Sequence, residues 1–283
     1  MEFSYYPGCS LTGSAKELDD SFRGAAAKLG VTLTELPDWT CCGASSAHMV
    51  DAFLETALPA QDLMIADGLG KDVVAPCAAC HVRLKAAAQH LSADSSLRKQ
   101  FPFRGEIQVL SGIEMFHHDA VLSALKERVK KPLEGLRVVP YYGCLAVRPP
   151  EVVQPDDPEN PMQMDHILDA IGAEVLSWPY KTDCCGGSLT LTITDVVLKL
   201  SQKILDMARL VEADAIVTMC PMCQANLDTR QADIARATGK EYAIPILYVT
   251  ELIGMALQAS EARAWLGKHM VSAESVLSKK GLI

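Results

Sequence analysis

The chain has 283 residues, 49% of them apolar, and a formal net charge of −9 from 26 Lys and Arg against 35 Asp and Glu. That size suits one large globular domain or two smaller ones, and the deficit of cations argues against a broad nucleic-acid surface. No basic leader followed by an apolar run and no stretch of about 18 apolar residues occurs, so a cytoplasmic protein is expected.

In chain order, short apolar runs at residues 2–6, 31–36, 72–75 and 106–110 read as strands, and 137–142, 174–178, 215–219 and 243–249 repeat the pattern. Continuous rather than alternating apolarity is what buried parallel strands carry. Helical segments lie between them. Val197, Leu200, Ile204, Ala208 and Val211 recur at helical spacing on a segment beginning near Ser188, and a comparable segment follows Ser45, where Pro59 is expected to kink or split it. Strand and helix therefore alternate, which predicts an α/β fold of two homologous repeats, each a small parallel sheet covered by helices and related by a pseudo-two-fold axis. The charged stretch 126–135 separates residues 1–130 from 131–283.

The ten cysteines carry the duplication. Cys9, Cys41, Cys42, Cys77 and Cys80 are answered by Cys144, Cys184, Cys185, Cys220 and Cys223, with 34 residues between the paired cysteines and the CxxC in both halves. Tyr-Tyr-Pro-Gly-Cys answers Tyr-Tyr-Gly-Cys, and Cys-Cys-Gly-Ala-Ser answers Cys-Cys-Gly-Gly-Ser. All ten fall just past the expected strands, where parallel sheets form their sites. In a reducing compartment such clusters mean metal or redox chemistry rather than disulfides.

Thiolates suit both zinc and iron–sulfur clusters. A structural zinc takes four ligands and a cubane [4Fe–4S] cluster also takes four, so a repeated fifth cysteine is left over in either case. It implies a cluster of unusual shape with a bridging thiolate, or a free thiol beside a conventional cluster. Adjacent cysteines reach two irons of one cluster more readily than they chelate one ion, which favours a polynuclear site. Gly43, Gly186 and Gly187 would let backbone N–H groups approach the sulfides, although a turn alone explains them too.

Other residues carry less. His81 follows Cys80 but its counterpart is Gln224, and an exposed helix position is expected for it; His117 and His118 read as ordinary surface residues. Trp39 and Trp178 would exclude water near the cysteines or simply pack. No GxGxxG follows a strand, and no GxxxxGK[ST] or GxSxG occurs, so the usual nicotinamide, flavin and nucleotide motifs are missing.

At these cysteine sets the chain resembles the B subunit of heterodisulfide reductase and the proteins named for the duplicated CCG domain. The resemblance spans nearly the whole chain. It implies two non-cubane [4Fe–4S] clusters, five cysteines each, facing each other across a small disulfide, thiol or persulfide and making or breaking a sulfur–sulfur bond in one-electron steps. It also implies a C-like partner carrying cubane [4Fe–4S] clusters and an A-like flavin subunit. The rival with the same ligands is an electron relay to partner subunits or a quinone, binding no substrate itself.

Overall fold

A computed structural model describes residues 1–44 and 47–283. Ser45, where a helical segment was expected to follow, lies outside the described residues together with Ser46. Two four-stranded parallel sheets are present. The first contains β1 (Glu2–Tyr5), β2 (Thr32–Glu35), β3 (Val73–Ala75) and β4 (Val109–Ser111) in the order β2-β1-β3-β4. The second contains β5 (Arg137–Pro140), β6 (Glu174–Val175), β7 (Ala215–Thr218) and β8 (Ile246–Tyr248) in the equivalent order β6-β5-β7-β8.

The strands are shorter than the apolar runs. Tyr6 N–H still bonds to Val74 O and Tyr141 N–H to Val217 O, but beyond them the chain turns into the cysteine loops. At 106–110 only the end is strand: β4 starts at Val109, opposite Val73, and Gln108 N–H is taken by the Asp72 carboxylate. The central strands β3 and β7 are buried throughout. The edge strand β2 is largely exposed, contrary to the expectation of burial, because three of its four residues, Thr32, Thr34 and Glu35, are polar.

Eight helices answer each other between the repeats. The first four are α1 (Lys16–Lys28), α2 (Ala52–Leu69), α3 (Ala78–Ala93) and α4 (Gly112–His117). Their counterparts are α5 (Gln163–Ala170), α6 (Thr194–Leu210), α7 (Pro221–Thr229) and α8 (Val249–Ala256). Pro59 sits inside α2 without splitting it. Ser188 falls in a 3-10 turn, Gly187–Leu189, and α6 begins only at Thr194.

Across the repeats α1 packs on α8 and α4 packs on α5, the reciprocal exchange that a two-fold relation produces. Ser21 and Thr250 share a buried hydroxyl bond of 2.7 Å at the first contact. At the second, His117 stacks on His166 with Nε2 3.0 Å from Nδ1, so His117 joins the repeats rather than being an ordinary surface residue. His118 stays exposed beside it and accepts from Ala120 N–H at 3.4 Å. One apolar core runs through both repeats and includes Phe22, Phe116, Met219, Leu252 and Trp265.

Gly24 in α1 is where Trp265 fits: a Cβ there would lie 2.7 Å from the indole ring. Alanine would gain about 0.5–1 kcal/mol of helix preference, but overpacking a filled core costs about 1–3 kcal/mol. Gly24→Ala should therefore lower the denaturant midpoint, and a raised midpoint would mean that Trp265 moves aside freely.

Candidate metal centres

Each sheet has the order in which the chain leaves its first strand in one direction and then crosses back over it. A crevice opens at that switch point, between the carboxyl ends of β1 and β3 and of β5 and β7. Cys9 follows β1 and the first CxxC follows β3, so the crevice is lined from both sides; Cys41 and Cys42 reach it from the loop after β2. Cys77 is the N-cap of α3 and Cys220 that of α7. Both CxxC motifs thus straddle a helix N-terminus, where the dipole and free N–H groups favour thiolate.

The two sets close in the same way. Cys42 Sγ lies 3.3 Å from Cys80 Sγ, and Cys185 Sγ 3.6 Å from Cys223 Sγ. Cys77 and Cys80 also act on each other's protons, Cys220 acts on that of Cys223, Cys41 on that of Cys9 and Cys184 on that of Cys144. The inner three thiols of each set are buried; of the outer pairs, Cys9, Cys41 and Cys184 are exposed and Cys144 is half-buried. Each crevice therefore has a buried floor of three sulfurs and a mouth of two. Among the described residues no group of three or more His, Cys, Asp or Glu side chains is arranged to hold one metal ion.

Protons divide unequally within these pairs. The bond shared with Cys80 pulls the Cys42 thiol down to about 7, and that with Cys144 pulls Cys184 down to about 6. Cys80, Cys144 and Cys223 are pushed up by the same thiol–thiol bonds, with burial adding. Backbone N–H groups help the thiolates: Gly186 N–H points at Cys184 Sγ at 3.3 Å, and Gly187 N–H lowers Cys185. Ala44 N–H does the same for Cys42. Gly43 and Gly186 both have positive φ, +72° and +81°, so the turn itself requires glycine there, and Gly187 does not share that conformation.

Several functional positions escaped the sequence reading. Gly8 and Gly143 precede the first cysteine of each set with φ +66° and +72°, and a Cβ would sit 3.0 Å from Cys80 Sγ and 2.8 Å from Cys223 Sγ. The repeated Gly-Cys dipeptide was the available signal. Tyr6 donates to Thr40 O and Tyr141 to Asp183 O, both at 2.6 Å, and those acceptors immediately precede the paired cysteines. Each tyrosine thereby ties the first loop of its crevice to the second. Trp39 packs edge-on to Tyr6, and buried Trp178 packs on Tyr141 while donating to Pro140 O at 2.8 Å.

His81 is buried, 1% exposed, with Nε2 3.2 Å from Glu114, which corrects the expectation of an exposed helix histidine: α3 lies under the Cys144 turn and the segment Pro150–Val153. Burial works against the Glu114 carboxylate, but His81, Ser111 N–H and Lys85 hold it down at about 2. In the second repeat the equivalent carboxylate, Glu251, is met by His269 at 2.8 Å, and Gln224 Nε2 is 2.8 Å from the other nitrogen of that ring. A histidine from the C-terminal segment thus replaces the one absent after Cys223.

The two sets meet through their cores: Ala78, inside the first CxxC, belongs to the apolar cluster of Cys185, Cys220 and Cys223, and Met222, inside the second CxxC, packs against that cluster and against the core that includes Cys42, Cys77 and Cys80.

The CCG family, described as a cysteine-rich domain, matches residues 3–85 and 138–228. The chain is 30% identical to the 8-methylmenaquinol:fumarate reductase membrane anchor subunit of Wolinella succinogenes, over 96% of this chain and 98% of that one. It is 25% identical to the B subunit of the ferredoxin:CoB-CoM heterodisulfide reductase of Methanosarcina mazei, over 98% and 96%. Among solved structures, a hypothetical protein from Helicobacter pylori superposes with a TM-score of 0.76 at 11% identity, over 96% of this chain; the chain spans about half, 52%, of that structure. No helix among the described residues is long and apolar enough to cross a membrane.

Fully buried Asp62 braces the first set by accepting Thr40 N–H at 2.7 Å. Burial pushes its carboxyl up to about 7, against the pull of Thr40 and with Cys42 adding. A raised folded-state value means that folding takes up a proton: the contribution is complete below about pH 4, the unfolded value, and is lost as pH rises through about 7. In the metal-free protein Asp62→Asn should flatten stability over that window and stabilise at pH 8 by up to about 4 kcal/mol. Urea midpoints measured against pH check this, and an unchanged slope would remove Asp62 as the cause.

Proposed function

Because the chain belongs to the CCG cysteine-rich domain family and carries the domain twice, we propose that it is an iron–sulfur redox subunit of a multi-subunit oxidoreductase, with one [4Fe–4S] cluster in each crevice. Cys9, Cys41, Cys42, Cys77 and Cys80 hold one cluster; Cys144, Cys184, Cys185, Cys220 and Cys223 hold the other. The observation that carries this is the identical closure of five thiols in both repeats, a buried triad and an outer pair. That donor set fits a polynuclear cluster of non-cubane shape better than a four-ligand zinc site.

When bound, such clusters supply one-electron transfer and an iron position that can take a thiolate. The chain's own residues do the rest. The helix N-termini at Cys77 and Cys220, and the N–H groups of Ala44, Gly186 and Gly187, stabilise added negative charge, which raises the reduction potential. Tyr6 and Tyr141 fix the paired cysteines against the strand ends. Protons on Cys80, Cys144 and Cys223 leave when metal binds. Cys9, Cys41 and Cys184 remain at the mouths, where a small sulfur compound or a partner chain arrives.

Two sets that meet through their cores suit a two-electron reaction on a sulfur–sulfur bond, one electron from each cluster, as the relatives named for heterodisulfide reductase suggest. Partners would then be a C-like iron–sulfur chain and an A-like flavin chain. The second reading is a relay without a substrate of its own, favoured by the relative named for methylmenaquinol and fumarate.

Anaerobically purified protein should contain about eight irons and no zinc, with a paramagnetic signal on oxidation that added thiol alters if a substrate sulfur binds. Eight irons without a thiol response select the relay, and about two zincs without iron overturn both readings. Gly143→Ala, which drives a Cβ into Cys223, should reduce iron to about half while leaving the first set loaded; full iron content would show that Cys223 is free to shift.

A further inference from the structure

Tyr248 is fully buried, and its hydroxyl has no hydrogen-bond partner among the described residues. A buried phenol left unpaired is costly and demands a reason. Its backbone belongs to the second crevice. Tyr248 ends β8 opposite Thr218, and Thr218 Oγ1 accepts the N–H of Cys220 at 3.2 Å. Its side chain packs not in the cluster of Cys220 and Cys223 but in the core that runs through both repeats and includes Cys42, Cys77 and Cys80. Burial pushes the phenol up, and the charges of Glu17 and Glu251, then of Cys220 and Cys77, add to it. The nearby carboxylate of Glu251 is already engaged by Tyr248 N–H and His269. In the first repeat the same place, the N-cap of α4, is held by Ser111, too short to reach across. Among the described residues, then, the second repeat alone carries a buried, unpaired hydroxyl at this place.

We propose that the Tyr248 hydroxyl donates a hydrogen bond to a sulfur anion held between the two cysteine sets, either a cluster sulfide or the sulfur of a bound thiol. This rests on the reading that both sets hold clusters. Tyr248 acts as a positioning residue: its donor offsets negative charge on that sulfur, and no proton need transfer.

The test is Tyr248→Phe, which keeps the ring and removes only the hydroxyl. In the metal-free protein the variant should be at least as stable as the parent, because it deletes an unsatisfied group. A lower denaturant midpoint would reveal an internal partner, such as a water bridging to Glu17, and would overturn the inference. In the loaded protein, reductive titration followed by paramagnetic resonance should give full iron content and a more negative midpoint for at least one cluster if the acceptor is a sulfide. If the acceptor is a thiol sulfur, the midpoint stays and 2-mercaptoethanesulfonate binds several-fold more weakly, read from the same signal. Unchanged midpoint and unchanged thiol binding at full iron content sink the role of Tyr248 while leaving the cluster reading intact. Parent protein without iron sinks both.

Discussion

Two buried thiols in contact cannot both ionise freely. With Cys42 and Cys80 3.3 Å apart and Cys185 and Cys223 3.6 Å apart in buried crevices, each thiolate raises its neighbour's cost of losing a proton, so the sets split into lowered and raised members. Nothing within the chain compensates fully. The N–H groups of Ala44, Gly186 and Gly187 and the two helix N-termini offset part of the charge, and polycationic iron would offset the remainder. The crevice, the tyrosine ties and the positive-φ glycines follow from that need, since each brings sulfur or N–H closer than a side chain at Gly8 or Gly143 would allow.

Duplication has kept the floor of each crevice and changed its surroundings. After the first CxxC come His81, Arg83 and Lys85; after the second come Gln224, Asn226 and Asp228. Arg83 pairs with Glu55 and its charge favours the Cys42 thiolate, whereas Asn226 donates its amide to Cys185 O at 3.3 Å. One set thus stands beside a cation and the other beside a neutral dipole. His269 restores in the second repeat the histidine–carboxylate pair that His81 makes with Glu114 in the first, though from a different segment of the chain.

The reciprocal packing of α1 on α8 and α4 on α5 joins the repeats through one core. Its chemical consequence is that the two sets meet through their cores, at Ala78 and Met222. Clusters held in the two crevices, as proposed, would exchange electrons within the chain, which a substrate reaction and a relay both require.

The repeat, the ten cysteines and the alternation of strand and helix were legible in the sequence, because cysteine spacing reports loops at strand ends and those loops are local. Pro59 did not split its helix because a long apolar helix tolerates one proline when its neighbours hold it in place. Tertiary structure alone decided the rest. Tyr6 matches Tyr141 rather than Tyr142, since Pro7 takes the intervening position; His81 is buried because the second repeat covers α3; and Tyr248 is buried in the core that spans both repeats. Each of these depends on contacts between segments far apart in the chain or on a one-residue shift at a strand end, and spacing within a single motif carries no record of either.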